Sequence, residues 1–279
     1  MSKLVIIPNS IDSINSLVNK DIDGFILSIK NLFVNSSFYI TINELENIIS
    51  IIKKNNKKIY ISLNKNMFNS DLEYLKEVLI KLNNMDIDKI LFYDLSVLSL
   101  VNKLNINKEL VIFQDHLNNS IYSHNFYKKR NINSSFISSD ITYKEINDIK
   151  EKTNMDIFMY VYGYIPMSNS KRFLVTNYLK HINKDVKDKY YYIKERDNYY
   201  MIIEDDDGTT VYSKDKLNLI NEMDKIKNID YYVINGFNIN DEEIIDMIDK
   251  FNNNFKDDNT DNYTGFLNVN TIYKVKNNE

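Results

Sequence analysis

The chain contains no cysteine and no tryptophan, and only five glycines and two prolines among its 279 residues. Without thiolates it can form no disulfide and can hold no zinc ion or iron–sulfur cluster through cysteine. With so little glycine, no strand candidate is followed by a dinucleotide or P-loop fingerprint, and no Gly-x-Ser-x-Gly elbow exists. Long apolar runs are missing as well. None approaches the ~20 residues that span a bilayer, and no basic-then-apolar leader precedes a cleavage site. A cytoplasmic protein without membrane contact is therefore expected. Nor does charge of one sign dominate: Lys+Arg 35 against Asp+Glu 39 gives a formal charge of −4. That balance excludes a general nucleic-acid binder and confines any such role to a local basic patch.

Hydrophobic residues make up 43% of the chain, enough for a sizeable core. Heavy use of Asn, Ile and Lys reads as compositional drift. Short β-branched runs alternate with amphipathic segments. Eight read as strands: Leu4–Ile7, Gly24–Ile29, Lys58–Leu63, Lys89–Tyr93, Leu110–Phe113, Ser135–Ser138, Ile157–Val161 and Tyr231–Ile234. Continuous apolar runs of this kind suit parallel strands covered on both faces. Thr41 with Glu44, Ser70 with Glu73, and Thr142 with Glu145 are potential capping boxes at helix starts. Leu45, Ile48, Ile49 and Ile52 form one helical stripe. The pattern predicts an α/β fold, a (β/α)8 TIM-like barrel spanning residues 1–279 as a single domain, ahead of an open doubly wound sheet. One region breaks the rhythm. Residues 189–213 read as two or three antiparallel strands turning at Asp206-Asp207-Gly208, a β insertion between strands 7 and 8. From about residue 252 the chain becomes a polar tail, with an apolar stretch from Phe266 to Val275.

The carboxyl ends of barrel strands share one mouth. Here they carry Asn9, Asn64, Asp94, Asp115 with His116, Asp140, Tyr162 and Asn235, a polar ring without an obvious catalytic pair. Asp94 is equally suited to capping the following helix, and Asp140 to capping the one near Thr142. His116, His124 and His181 stand in separate segments without ligand spacing, so no metal is expected. Asp205, Asp206 and Asp207 lack the alternating oxygens of a calcium loop. The richest segment is DIFMYVYGYIPMSNSKRFLVTNYLKH, from Asp156 to His181. It reads as a strand, a break at Gly163 and Pro166, a polar turn holding Ser168, Ser170, Lys171 and Arg172, and a helix with Tyr178. Strand, donor-rich turn and helix make a ligand site, and Arg172 suits a carboxylate or phosphate. Basic residues cluster at Lys128, Lys129 and Arg130 behind Phe126 and Tyr127, and at Lys171, Lys180 and His181. Cations beside aromatic rings are candidates for RNA contact.

That segment resembles the signature of the collagenase-like peptidase family U-32, in which Val-His-Gly leads to Cys, Ser, Arg, Cys and a Ser-Tyr or Asn-Tyr pair. Gly163, Ser168, Ser170, Arg172 and Tyr178 match the pattern; Tyr162 replaces its histidine, and Pro166 and Phe173 its two cysteines. The likeness extends to KKIYISLNKNMFNSDLEYLKEVLIKLNNMDIDKILFYDLSVLSLV from Lys57, which places Asn64 and Asp94 on motif positions, and to the insertion. Ser139 and Asp140 replace an Arg-Glu pair, Val233 and Asn235 a lysine and an acid, and residues 114–119 are shortened. The resemblance implies a barrel acting as a subunit in prephenate-linked 5-hydroxylation of the tRNA wobble uridine. It also implies a longer, cluster-bearing family member as hetero-oligomeric partner, with no cofactor held by this chain itself. The family label implies an alternative, a metal-free, collagenase-like peptidase. A non-catalytic barrel binding a small molecule or a partner is the third reading.

Overall fold

The computed structural model describes residues 2–35, 38–113, 120–186, 188, 190–256 and 262–269. Strands and helices alternate as β1 (Lys3–Ile7), α1 (Ile11–Leu17), β2 (Gly24–Ser28), α2 (Leu45–Lys54), β3 (Lys58–Leu63), α3 (Leu72–Asn84), β4 (Lys89–Phe92), α4 (Leu95–Lys103), β5 (Glu109–Phe113), α5 (Ile121–Lys128), β6 (Ser134–Phe136), α6 (Tyr143–Thr153) and β7 (Asp156–Gly163). An excursion follows: β8 (Pro166–Ser170), α7 (Leu174–His181), β9 (Tyr190–Glu195), β10 (Asn198–Asp205), β11 (Gly208–Tyr212), β12 (Leu217–Asn218) and α8 (Met223–Ile226). The chain then returns as β13 (Tyr231–Asn235) and α9 (Asp241–Asn252).

Strands β1 to β7 and β13 pair in parallel, and β13 bonds both β7 and β1, so eight strands close a barrel. Closure leaves no edge to aggregate. Its interior is aromatic. Phe158 and Tyr231 stack at 3.8 Å, Tyr60 meets both edge-on at 5.6 and 5.9 Å, and Phe136 lies 6.3 Å from Phe158. The opposite strand parity faces the helices. Thus Tyr232 reaches Phe251 of α9, and Ser135 reaches His124 of α5. In α2 the stripe Leu45, Ile48, Ile49 and Ile52 is buried, each side chain contributing about 1.5–3 kcal/mol by leaving water. Lys89 and a paired Asp88 close the barrel floor. Lys89 bonds Glu109 at 2.5 Å and Ser134 at 3.0 Å, while Asp88 takes Lys53 and Lys58, each at 2.8 Å.

The insertion is larger than the sequence suggests. The segment expected as a polar turn after Gly163 is an extended strand, β8, and joins a four-stranded sheet in the order β8-β11-β10-β9. Gly208 allows this: a Cβ there would lie 2.1 Å from the Ser170 carbonyl oxygen, and its φ is +119°. Gly163 likewise lets β7 approach β13, since a Cβ would stand 2.3 Å from the Asn235 oxygen. Two of the expected capping boxes form. Thr41 and Glu44 bond reciprocally, as do Thr142 and Glu145. The Ser70–Glu73 box does not; Asp71 instead accepts the Phe68 amide at 2.9 Å. Of the tail, the described stretch runs back over the barrel, where the Leu267 carbonyl takes the Tyr143 amide at 3.0 Å. No helix among the described residues is long and apolar enough to cross a membrane.

Candidate functional site

The insertion sheet sits over the barrel mouth, held from two sides. Lys65, following β3 and almost wholly buried, reaches Asp71 at 3.3 Å and Asp207 of the β10–β11 turn at 3.7 Å. Thr210 of β11 donates to Asn35 at 2.8 Å, and Asn169 of β8 donates to Thr210 and Asn35 at 2.9 and 3.3 Å. Under this cover lies a cavity of about 120 Å³ whose polar wall is Asn35, Asn64, Asn66, Tyr93, Asn169 and Lys171, with Val34 and Phe113 as apolar lining. The Lys171 ammonium lies 4.8 Å from the centre of the Phe68 ring. Partial burial, then the neighbouring Lys65 charge, hold its pKa below the ordinary lysine value.

Strand alternation decides which signature residues reach this cavity. Asn169 and Lys171 face it, so Ser168 and Ser170, one residue out of phase, face away. Arg172 is exposed and does not line it; its carbonyl accepts the Thr209 hydroxyl at 2.8 Å. Tyr178 is 62% exposed on α7. The amino end of α7 is already occupied by an anion. Glu204 of β10 accepts the Val175 amide at 2.7 Å and the Thr176 amide at 3.0 Å, and lies 2.8 Å from the Thr209 hydroxyl, whose one proton it shares with the Arg172 carbonyl. Burial alone would raise the Glu204 pKa, but these hydrogen bonds and the Thr176 hydroxyl hold it below the ordinary carboxylate range. The signature helix therefore offers no vacant anion site.

Most of the polar ring is spent on backbone. Asn64 clamps Val34 through both amide atoms at 3.1 and 3.0 Å. Asp94 caps α4 through the Ser96 amide at 2.8 Å and accepts the Met67 amide at 3.1 Å. Asn9 donates to Ile239 at 2.6 Å and Asn235 to Tyr164 at 2.8 Å. Asp140 is exposed, and the cap of α6 is Thr142 instead. Tyr162 turns away from the mouth at a register shift between β7 and β13, and its hydroxyl donates to Glu243 of α9 at 2.5 Å. Asp115 and His116 lie outside the described residues. The two basic groups also part company. Lys128, Lys129 and Arg130 stand at the carboxyl end of α5, beside the strand starts, whereas Lys171 lines the cavity and Lys180 lies in the last turn of α7. Lys128 donates to the Thr153 carbonyl, and Arg130 lies over Phe126 at 3.6 Å.

Nucleophilic chemistry finds no support in these contacts. Ser170 Oγ accepts the Arg172 amide at 3.3 Å, and neither Ser168 nor Ser170 bonds a histidine or carboxylate among the described residues. Ser135 does contact His124, at 3.1 Å, but both are sealed beneath α5. Among the described residues no group of three or more metal-ligating side chains converges. The sequence reading missed Asn35, Asn66, Tyr93, Asn169 and Lys65. Asn169 could have been found by treating PMSNS as a strand, and Tyr93 as the carboxyl end of the strand expected from Lys89; Asn35, Asn66 and Lys65 sit on loops with no periodicity to place them.

The family model of peptidase family U32 matches residues 9–278. The chain belongs to that family. It is 24% identical over 244 residues to tRNA hydroxylation protein P2 of Bacillus subtilis, covering 84% of this chain and 79% of that protein. It is also 24% identical to an uncharacterized protease of Methanocaldococcus jannaschii, covering 66% of this chain and only 46% of the relative. The barrel superposes on a solved U32 peptidase with a TM-score of 0.54 at 11% identity, covering 84% of this chain and 92% of that one. A tryptophan synthase alpha subunit from Legionella pneumophila gives 0.52 at 9% identity, covering 91% and 92%. At such identities the structural likeness concerns fold alone.

Proposed function

We propose that this U32 protein is a subunit of a tRNA-hydroxylating system, acting in prephenate-linked 5-hydroxylation of the wobble uridine in the cytoplasm. The observation that carries the reading is the likeness to tRNA hydroxylation protein P2 over 84% of the chain. The mouth supports it. A covered cavity walled by side-chain amides, a tyrosine and one lysine suits a polar ligand held by several hydrogen bonds, with Lys171 available to a carboxylate or phosphate. A peptidase reading has the family label but no activated nucleophile among the described residues. Lacking cysteine, the chain fits no thiolate-bound cluster, so a cluster-bearing family member is the partner this reading requires. Deletion of the gene, followed by mass spectrometry of tRNA nucleosides, tests it. The 5-hydroxylated wobble uridine should fall sharply and return with the gene on a plasmid. Unchanged modification in the deletion strain would refute the assignment.

A further inference from the structure

One face of the insertion sheet is half core and half open to solvent. In the β9–β10 ladder Tyr192 pairs with Met201 and Lys194 with Tyr199, so these four side chains share a face. At its inner end Met201 is buried with Tyr212 against Phe237, which follows β13 at the barrel mouth. Towards the hairpin tip the face emerges into solvent, with Tyr192 61% and Tyr199 53% exposed. Between them Lys194 sets its ammonium 5.5 Å from the Tyr199 ring centre, and Arg196 follows in the hairpin turn. Alternation sends Glu195 to the other face, Asp197 lies in the turn, and this face becomes acidic only at Asp205, beyond the half-buried Ile203.

Exposed rings alternating with cations on one face of a sheet are the elements of a single-strand stacking platform. In a chain of formal charge −4, phosphate can approach only where cations gather. We propose that this face binds a single-stranded RNA segment, bases stacking on Tyr192 and Tyr199 while Lys194 and Arg196 meet phosphates. The choice of RNA rests on the tRNA reading; the platform itself rests on the ladder. Because its inner end abuts the mouth, a strand laid along it is led towards the cavity beneath β8.

The absence of tryptophan supplies a clean probe. In the full-length Tyr192→Trp variant the single indole should be quenched by a short oligouridylate. In anisotropy titrations the double variant Tyr192→Ala/Tyr199→Ala should bind labelled oligouridylate at least about tenfold more weakly, with an unchanged circular dichroism spectrum. Lys194→Ala should lower the slope of log affinity against log salt by about one. Wild-type affinity in the double variant, equal affinity for a fully paired RNA duplex, or no binding by the native chain would overturn the platform. The two readings fail separately. Binding lost in the double variant while gene deletion leaves tRNA hydroxylation intact would sink only the tRNA assignment. Hydroxylation abolished by deletion but fully restored by a double variant that binds RNA normally would sink only the platform.

Discussion

At the scale of single residues, polar side chains here mostly serve the backbone, and His124 shows what that implies. It is fully buried; its Nδ1 lies 2.9 Å from the Ser120 carbonyl, and its Nε2 takes the Ser135 hydroxyl. The carbonyl requires a proton on Nδ1, and burial favours the neutral ring, in which Nε2 accepts. Burial holds its pKa below the ordinary 6.5. As pH falls, the unfolded chain therefore takes the proton first, so the stabilisation is present above about 6.5 and is lost towards the depressed folded value. His124→Gln should flatten that acid limb: thermal unfolding at pH 7 and 5.5 should show a smaller drop in midpoint than the native chain gives, and an equal drop would contradict the assignment. A second prediction concerns the signature. Lys171 lines the cavity and Arg172 does not, so on the tRNA reading Lys171→Ala should reduce wobble-uridine hydroxylation in cells roughly tenfold, the loss of one charged contact. Arg172→Ala should do less at equal protein abundance, measured by nucleoside mass spectrometry beside an immunoblot. Sequence alone ranked these two the other way, because a polar run after Gly163 reads as a turn, and in a turn no parity separates neighbours. Asparagine was equally misread as drift. Among the described residues, nine of the ten non-glycine positions with positive φ are Asn, including Asn154 closing α6, so in this glycine-poor chain Asn supplies the left-handed turns.

Among elements, the barrel strands were legible nearly to the residue, since continuous apolar runs buried on both faces leave little ambiguity. Lys58–Leu63 agrees at both ends, and Ser135–Ser138 was displaced by only one to two residues from Ser134–Phe136. Short amphiphilic strands were not legible. PMSNS lacks an apolar alternation because only Pro166 is buried, and its pairing is dictated by Gly208 forty residues away in the fold's logic rather than by local propensity. The element most exposed to a single change is α7, whose first amides depend on Glu204 of β10. Removing that carboxylate leaves the Val175 and Thr176 amides without their acceptor, while the Thr209 hydroxyl keeps the Arg172 carbonyl, and it unbalances the helix end. Glu204→Ala should cost about 1–3 kcal/mol, confined to the insertion. Hydrogen exchange should accelerate across 174–181 while β1 to β5 keep their protection; uniform acceleration through the barrel would show that α7 is not the local unit supposed here.

For the whole molecule, the question is what keeps the insertion over the mouth, because the cavity exists only while β8 covers it. The barrel closes without the insertion, through β13 returning to β1. Contacts across the junction include the stack of Tyr212 on Phe237 at 4.1 Å, the Asn35–Thr210–Asn169 hydrogen bonds, Lys171 on the Phe68 ring, and the Lys65 clamp. Lys65 carries the most charge in the least water. Its side chain is 6% exposed, and it also donates to the Asn31 carbonyl at 2.8 Å, so it joins the β2–α2 loop, Asp71 before α3, and Asp207 of the insertion. Truncating one partner of a buried ion pair strands the others in a poorly solvated place, a loss of about 3–5 kcal/mol where burial is complete and less here, since Asp71 and Asp207 remain 19% and 23% exposed. Lys65→Ala should therefore weaken the seating of the insertion by about 2 kcal/mol and free the sheet before the barrel melts. Limited proteolysis should cut within 186–208 earlier than in the native protein, while circular dichroism retains the barrel signal to a nearly native midpoint. Asp207→Asn, which leaves Lys65 paired with Asp71, should fall between the two. If Lys65→Ala instead lowers both transitions together, the barrel and its cover are one cooperative unit, and opening of the mouth by release of the insertion is ruled out.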